Sequence, residues 1–182
     1  MMQIDENIIS RCQTGDRVAF RSLVEGCQGM VFSVALKMLA DEDEAKDIVQ
    51  ETFLRVWLNI SKYDASRRFT TWLYAIVSRL CLDRLKSRRH VIVLPEDEAV
   101  LRQYATNDGT QELENREWVA IVRLLAEGLS PKQRLVFTLS QLEGLSSQDV
   151  ELATGMSAKQ VKSNLYVARQ TIRERLKKLG YE

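Results

Sequence analysis

Three groups of side chains in this sequence have types and spacings that suit chemistry. The first is a carboxylate run, Asp41, Glu42, Asp43, Glu44, Asp47 and Glu51, with Lys46 as its only cation. Clustered carboxylates hold hard divalent cations, so a metal-dependent nuclease is one reading. Ala45, Ile48 and Val49 interrupt the run at helical spacing, however, so only one helical face is acidic, and no activating base is evident. The second group is Cys12, Cys27 and Cys81 with His90, the only histidine. These residues have no metal-ligand spacing, and a Cys/His or Ser/His nucleophilic pair would depend on a histidine that follows the basic "KSRR". No glycine-rich phosphate loop occurs. The residues argue against an enzyme and imply no metal, no cofactor and no small-molecule substrate.

The third group is cationic. In "GMSAKQVKSNLYVARQTIRERL", residues 155–176, Lys159, Lys162, Arg169, Arg173 and Arg175 face a single carboxylate, Glu174. A second basic block, residues 62–90, holds Lys62, Arg67, Arg68, Arg79, Arg84, Lys86, Arg88 and Arg89 against Asp64 and Asp83. The chain as a whole has 26 basic and 25 acidic residues, so its near-neutrality is a cancellation between blocks. Two separate basic surfaces point to a polyanionic partner. In the second block Tyr63, Phe69 and Trp72 interleave with the cations, the pattern by which charge tracks a single strand while rings stack on unpaired bases. Those rings also fit a core, and the spacing alone leaves both readings open.

The elements that must position these groups are helical. Pro95 and Pro131 are the only prolines, glycine is sparse, and apolar residues recur at three or four. The nearest approach to a strand is "VIVL" at 91–94, short and isolated. In 41–57, Ala45, Ile48, Val49, Thr52, Phe53, Val56 and Trp57 make a core face. Asp47, Gln50, Glu51 and Leu54 lie opposite, and Leu54 with Leu58 gives a mixed patch of the kind that binds protein. In the next helix the stripe is Trp72, Leu73, Ile76, Val77 and Leu80. Near the end of the chain, three helix starts share one signature: Ser130 with Gln133, Ser146 with Asp149, and Ser157 with Gln160. Pro131 suits a first helical position, and Gly144 and Gly155 suit stops. These signals predict helices over 131–143, 147–154 and 158–178, the last anchored by Val161, Leu165, Ala168, Ile172 and Leu176. A short helix, a glycine turn and a longer basic helix form a helix-turn-helix, whose second helix enters the major groove. Off the apolar stripe lie Lys159, Gln160, Lys162, Ser163, Tyr166 and Arg169, cations for phosphate and polar groups for base edges.

At 182 residues, 45% hydrophobic and 28% charged, the chain suits one ordinary domain or two small ones. The expected architecture is all-α, two small helical domains joined by a linker. The first covers residues 1–90, the acidic linker 91–112 and the helix-turn-helix domain 113–182. Extended, about 22 linker residues reach at most about 75 Å. An odd number of widely spaced cysteines in helical patterns suits buried reduced thiols and a cytoplasmic setting. No signal peptide is evident, and no stretch is expected to be apolar and long enough to span a bilayer. On residues alone, a helix-turn-helix transcriptional regulator with an N-terminal sensory domain stands beside other DNA-binding readings.

"DIVQETFLRVW", "FTTWLYAIVSRLCLDRLKSRR" and "LSPKQRLVFTLSQLEGLSSQDVELATGMSAKQVKSNLYVARQTIRERL", taken in that order and spacing, resemble the sigma factors of bacterial RNA polymerase, in their two-domain extracytoplasmic-function form. The resemblance covers nearly the whole chain except the linker. It implies that the helix matching 44–58 docks on core polymerase through Asp47, Gln50, Glu51 and Leu54. It implies that Tyr63, Arg67, Arg68, Phe69, Trp72, Arg79, Lys86 and Arg88 lie in the segment that captures and melts the minus-10 element. Lys159, Gln160, Lys162, Ser163 and Tyr166 match the positions that read the minus-35 element, with Arg169 on phosphate. Core RNA polymerase, promoter DNA and an anti-sigma factor are the implied partners. The chain departs from the family pattern at Arg79, where the family often has Asn, at Val167, where Arg is common, and at Glu151, where a small residue is usual.

Overall fold

A computed structural model of the chain describes residues 5–90 and 128–178, and among these there are helices and turns but no strand. The first segment folds as α1 (Glu6–Gln13), α2 (Arg17–Leu39), α3 (Glu42–Asn59), a 3-10 turn (Ile60–Lys62) and α4 (Phe69–His90). The second holds α5 (Pro131–Phe137), which runs on into a π-helical turn (Thr138–Leu142), then α6 (Ser147–Thr154) and α7 (Ala158–Lys178). "VIVL" and the linker 91–112 lie outside the described residues.

The first three helices each begin at an aspartate. Asp5 accepts from the Asn7 amide at 2.9 Å, Asp16 from Val18 and Ala19 at 2.8 and 3.0 Å, and Asp41 from Glu44 at 2.9 Å. A carboxylate there satisfies first-turn amides and faces the positive end of the helix dipole. The amide of Ala19, together with the Arg11 guanidinium, holds the Asp16 carboxyl below its ordinary range.

α2 packs against α1, α3 and α4. Its Cys27, Val31, Val34, Ala35 and Met38 are wholly inaccessible. This corrects one expectation, because α2, at 23 residues, is long and apolar enough by length and composition to cross a membrane. Here that apolarity is used in the core: α2 packs against three other helices, and nine of its residues are buried. Cys12, Cys27 and Cys81 are free and buried, as expected for reduced thiols.

α5 starts with the expected capping box. Gln133 donates its amide N–H to Ser130 Oγ at 3.3 Å, and Ser130 donates its own to Gln133 Oε1 at 2.9 Å. The predicted 131–143 helix is present in two parts, α-helical to Phe137 and π-helical from Thr138. Glu143 N–H donates to Thr138 O at 2.9 Å, five residues back, and Gly144 follows with a φ of 71°. α6 and α7 run over the predicted spans. Along α7, Val161, Ala168 and Ile172 are buried and Leu165 is partly so, but Leu176 is 36% exposed, so the apolar stripe loses its cover in the last turns.

The two expected helical domains are both present, and they pack on each other. One continuous apolar core takes in Val31, Val34, Leu73 and Val77 from the first group and Leu135, Val136, Leu139, Val150 and Ala153 from the second. α6 lies along α4, and α5 reaches α2 and α4. Arg134 donates from Nη1 to Met38 O at 2.7 Å, supplying a cation and a donor to the C-terminal carbonyls of α2.

Candidate nucleic-acid interface

The helix-turn-helix is assembled by local chemistry. Ser146 Oγ accepts the Asp149 amide at 3.1 Å and donates to Asp149 Oδ2 at 2.7 Å, which fixes the start of α6. Gly155 ends it in the left-handed region, with a φ of 68° and its N–H donated to Glu151 O at 2.8 Å. Ser157 then caps α7, donating its N–H to Gln160 Oε1 at 2.9 Å. With the apolar stripe of α7 held against α5 and α6, the opposite face points outward. Lys159, Gln160, Lys162, Ser163, Tyr166 and Arg169 are all exposed, Tyr166 at 64%. The structure thus brings together every residue predicted for this surface. Gln160 has a second duty, since its Oε1 is the acceptor in the cap.

Gln141 was not anticipated. Its Oε1 accepts from Arg169 Nη2 at 2.9 Å, and its Nε2 donates to Ser140 Oγ at 3.0 Å. The π-helical turn presents this amide to the recognition helix 28 positions away, and no periodicity in the sequence signals such a pairing. Of the family departures, Val167 is partly exposed, at 39%, and Glu151 is half-buried on α6.

The second basic surface divides into rings and cations. Tyr63, Phe69 and Trp72 form one cluster, with ring centroids 5.2–5.6 Å apart in tilted and edge-on geometries. Tyr63 and Phe69 are buried within it, and Trp72 is half-buried. Tyr63 OH donates to Arg67 O, and Gln13 Nε2 donates to Tyr63 O at 2.9 Å, so the loop before α4 is pinned from both sides. Burial, with Asp64 and Glu6 nearby, pushes the Tyr63 phenol up. The buried rings of Tyr63 and Phe69 pack the loop, and Trp72 alone of the three keeps part of its surface accessible. Arg67, Arg68, Arg79 and Lys86 are exposed. Trp72, Arg79 and Lys86 are seven apart, two helical turns each, so they share one stripe of α4. Arg88 behaves differently from the other cations. It binds Glu44 through Nε at 3.2 Å and through Nη2, and donates from Nη1 to Leu39 O at 3.1 Å, tying the end of α4 to α2 and α3.

On α3, Asp47, Gln50 and Leu54 are exposed, and Glu51 is half-buried and paired with Arg55 at 2.6 Å. Leu54 and Leu58 are 58% and 64% exposed. With positions 47, 50, 51, 54 and 58 in helical register, they form one ridge of carboxylates and bare leucines. No group of three or more metal-ligating side chains occurs among the described residues, so the carboxylates of 41–51 are spread over a surface and do not converge on a point.

These features define an all-helical protein with a helix-turn-helix, two basic faces and an apolar-acidic ridge. The sigma-70 region 2 family matches residues 23–91 and the sigma-70 region 4 family matches residues 120–172. The ECF RNA polymerase sigma factor SigW of Bacillus subtilis is 27% identical, over 94% of this chain and 96% of its own. The ECF RNA polymerase sigma-E factor of Haemophilus influenzae is also 27% identical, over 96% of each. Among solved structures, CnrH in complex with the cytosolic domain of CnrY shares the fold, with a TM-score of 0.69 and 23% identity over 95% of this chain and 97% of that one. The chain belongs to the sigma-70 family of RNA polymerase sigma factors, in its extracytoplasmic-function group. Members of this family are transcription-initiation factors.

Proposed function

We propose that the chain acts as the promoter-specificity subunit of RNA polymerase through three surfaces, with no catalysis of its own. The ridge of Asp47, Gln50, Glu51 and Leu54 on α3, extended by Leu58, docks on core polymerase. Its two bare leucines are half or more exposed, as suits a surface that is covered in a larger assembly. The stripe of Trp72, Arg79 and Lys86, with Arg67 and Arg68 on the loop, tracks the minus-10 strand. Tyr63 and Phe69 support that loop from below, and Arg88 anchors the end of the helix. The outer face of α7 reads the minus-35 duplex, with Lys159, Lys162 and Arg169 on phosphates and Gln160, Ser163 and Tyr166 towards bases. The domain division at 1–90, 91–112 and 113–182 belongs to this reading, as does action in the cytoplasm, where polymerase works. An anti-sigma protein is a further proposed partner, since the ridge and the basic faces are surfaces an inhibitor would cover.

The observation that carries the reading is the outer face of α7, six polar or cationic side chains exposed together behind a fully capped helix-turn-helix. Run-off transcription with purified core polymerase on a library of genomic fragments tests it. Discrete chain-dependent transcripts are expected, all from fragments sharing one pair of elements. Absence of transcripts, together with failure to associate with core polymerase in a pull-down free of inhibitor, would refute the reading.

A further inference from the structure

One side chain ties the first helix to the loop that leads into α4. Gln13, the last residue of α1, donates from Nε2 to Ile60 O at 3.2 Å and to Tyr63 O at 2.9 Å. The two acceptors bracket the 3-10 turn (Ile60–Lys62), and Ile60 O also takes the Tyr63 N–H at 3.1 Å. A primary amide has two N–H groups, so one is available for each of these carbonyls. Beyond the turn the loop carries bonds of its own. Tyr63 OH donates to Arg67 O, Asp64 Oδ1 accepts the Ser66 amide at 2.9 Å, and Asp64 O accepts that of Arg67 at 3.1 Å. The ring cluster of Tyr63, Phe69 and Trp72 joins the loop to α4, and Gln13 joins it to α1.

α1 is itself held firmly. Its Ile9 and Cys12 are buried, and the helix packs on α2. Arg11 donates from Nε and Nη2 to Asp16 Oδ2 at 2.9 and 2.7 Å, which closes the corner between the two helices, and Asp16 caps α2 with its other oxygen. The sigma-70 region 2 match begins at residue 23, so α1 and Gln13 lie outside the matched span. Even so, α1 packs on the 3-10 turn, and the exposed Arg67 and Arg68 follow just beyond the clamped Tyr63.

We infer that Gln13 is a positioning residue for strand capture: it sets the loop over 63–68 in advance, so that Arg67 and Arg68 meet the minus-10 strand already in place. The inference rests on the proposed function, which puts that strand on this loop. A loop ordered before binding does not have to be ordered by the ligand, so the strand is held more tightly. Gln13 touches no DNA in this role and acts through the carbonyls of Ile60 and Tyr63. The role needs a donor. Met at this position keeps the length without one, and Glu, an acceptor only when ionised, sets a carboxylate against two carbonyl oxygens.

Gln13→Met and Gln13→Glu test the inference in the full chain bound to core polymerase. The probe is a single-stranded oligonucleotide carrying the minus-10 element of a promoter recovered by run-off transcription. Its affinity is expected to fall about tenfold in Gln13→Met, the order of effect of lost preorganisation, and at least as far in Gln13→Glu. Association with core polymerase and affinity for the minus-35 duplex are expected to stay unchanged. Undiminished affinity for the oligonucleotide would overturn the inference. So would a parallel loss of polymerase association, which would make Gln13 a residue of the general fold. Hydrogen exchange on the free chain needs no DNA. The Tyr63 and Arg67 amides should exchange several-fold faster in Gln13→Met, with the buried stretch of α2 as protected as before, and equal exchange would also overturn the inference. If the unmodified chain recovers no promoter, the sigma-factor reading has failed and the capture role goes with it. If the unmodified chain works and Gln13→Met works equally well, the inference alone has failed.

Discussion

Lys162 stands on the first turns of α7, between the capping Gln160 and the exposed Ser163, with its charge on the outward face. If it holds one phosphate, Lys162→Ala removes one released counterion. The slope of log affinity against log salt then falls by about one unit, whatever the promoter sequence. Affinity should drop on the order of fivefold, the effect of one exposed charge pair of about 1 kcal/mol. Run-off transcription should fall with it while association with core polymerase is unchanged; unaltered transcription would show that the outer face of α7 does not touch DNA. The thiols give a second prediction. Burial pushes Cys27 up to about 11 and Cys81 up to about 12, from an ordinary 9.0, and also raises Cys12. Raised folded values favour the protonated thiol, so the stability these groups contribute is complete below pH 9.0 and is lost as pH climbs through the folded values. Thermal melts should therefore show a falling midpoint above about pH 9. At pH 8 a thiol reagent should react fully only after denaturation; prompt reaction in the native chain would contradict the burial. At this scale the sequence was readable where charge decided the outcome. It was ambiguous where rings and cations serve either function or packing: Tyr63 and Phe69 went into a cluster, and Arg88 found Glu44, a partner 44 positions away.

Elements were the most legible level, because their ends are written in local chemistry. Ser146 and Gly155 delimit α6, and Ser157 opens α7, at the positions that capping and glycine signals predicted. Gly155 allows a clean test of this. A Cβ built there meets nothing within 4 Å, so Gly155→Ala carries no clash, only the left-handed backbone at a φ of 68°. The substitution should destabilise by about 1–2 kcal/mol, and Gly155→Asn by less, because Asn tolerates that region. Urea unfolding followed by helical signal measures both, and equal stability for all three chains would mean that the turn adopts another conformation. The π-helical turn was not legible. Nothing in "TLSQLEG" distinguishes a residue gained within a turn from an ordinary helix end; the packing of Glu143 against α2 is the feature that goes with it, and that packing lies outside the segment.

At the scale of the whole molecule, near-neutrality and the packing of the two helical groups on each other have a joint consequence. The sequence indicated two basic groups, because charge blocks survive in composition, but not that they pack on each other. Ser33, Lys37, Tyr74 and Glu143 are individually unremarkable, and their convergence is a property of tertiary packing. On the proposed function, the exposed outer face of α7 is the duplex-binding face of the free chain. Four cations there, Lys159, Lys162, Arg169 and Arg173, limit the salt slope to about −3.6 at roughly 0.9 per neutralised phosphate. The free chain should therefore bind promoter duplex weakly and as a monomer. Adding core polymerase should convert this into tight binding with a steeper slope, because the second site then engages at high effective concentration. Gel shifts at several salt concentrations, with and without core polymerase, measure this directly. Tight, sequence-specific binding by the free chain as a dimer would instead favour a conventional helix-turn-helix regulator. A slope that stays the same when polymerase is added would mean that only one of the two basic faces ever meets the promoter.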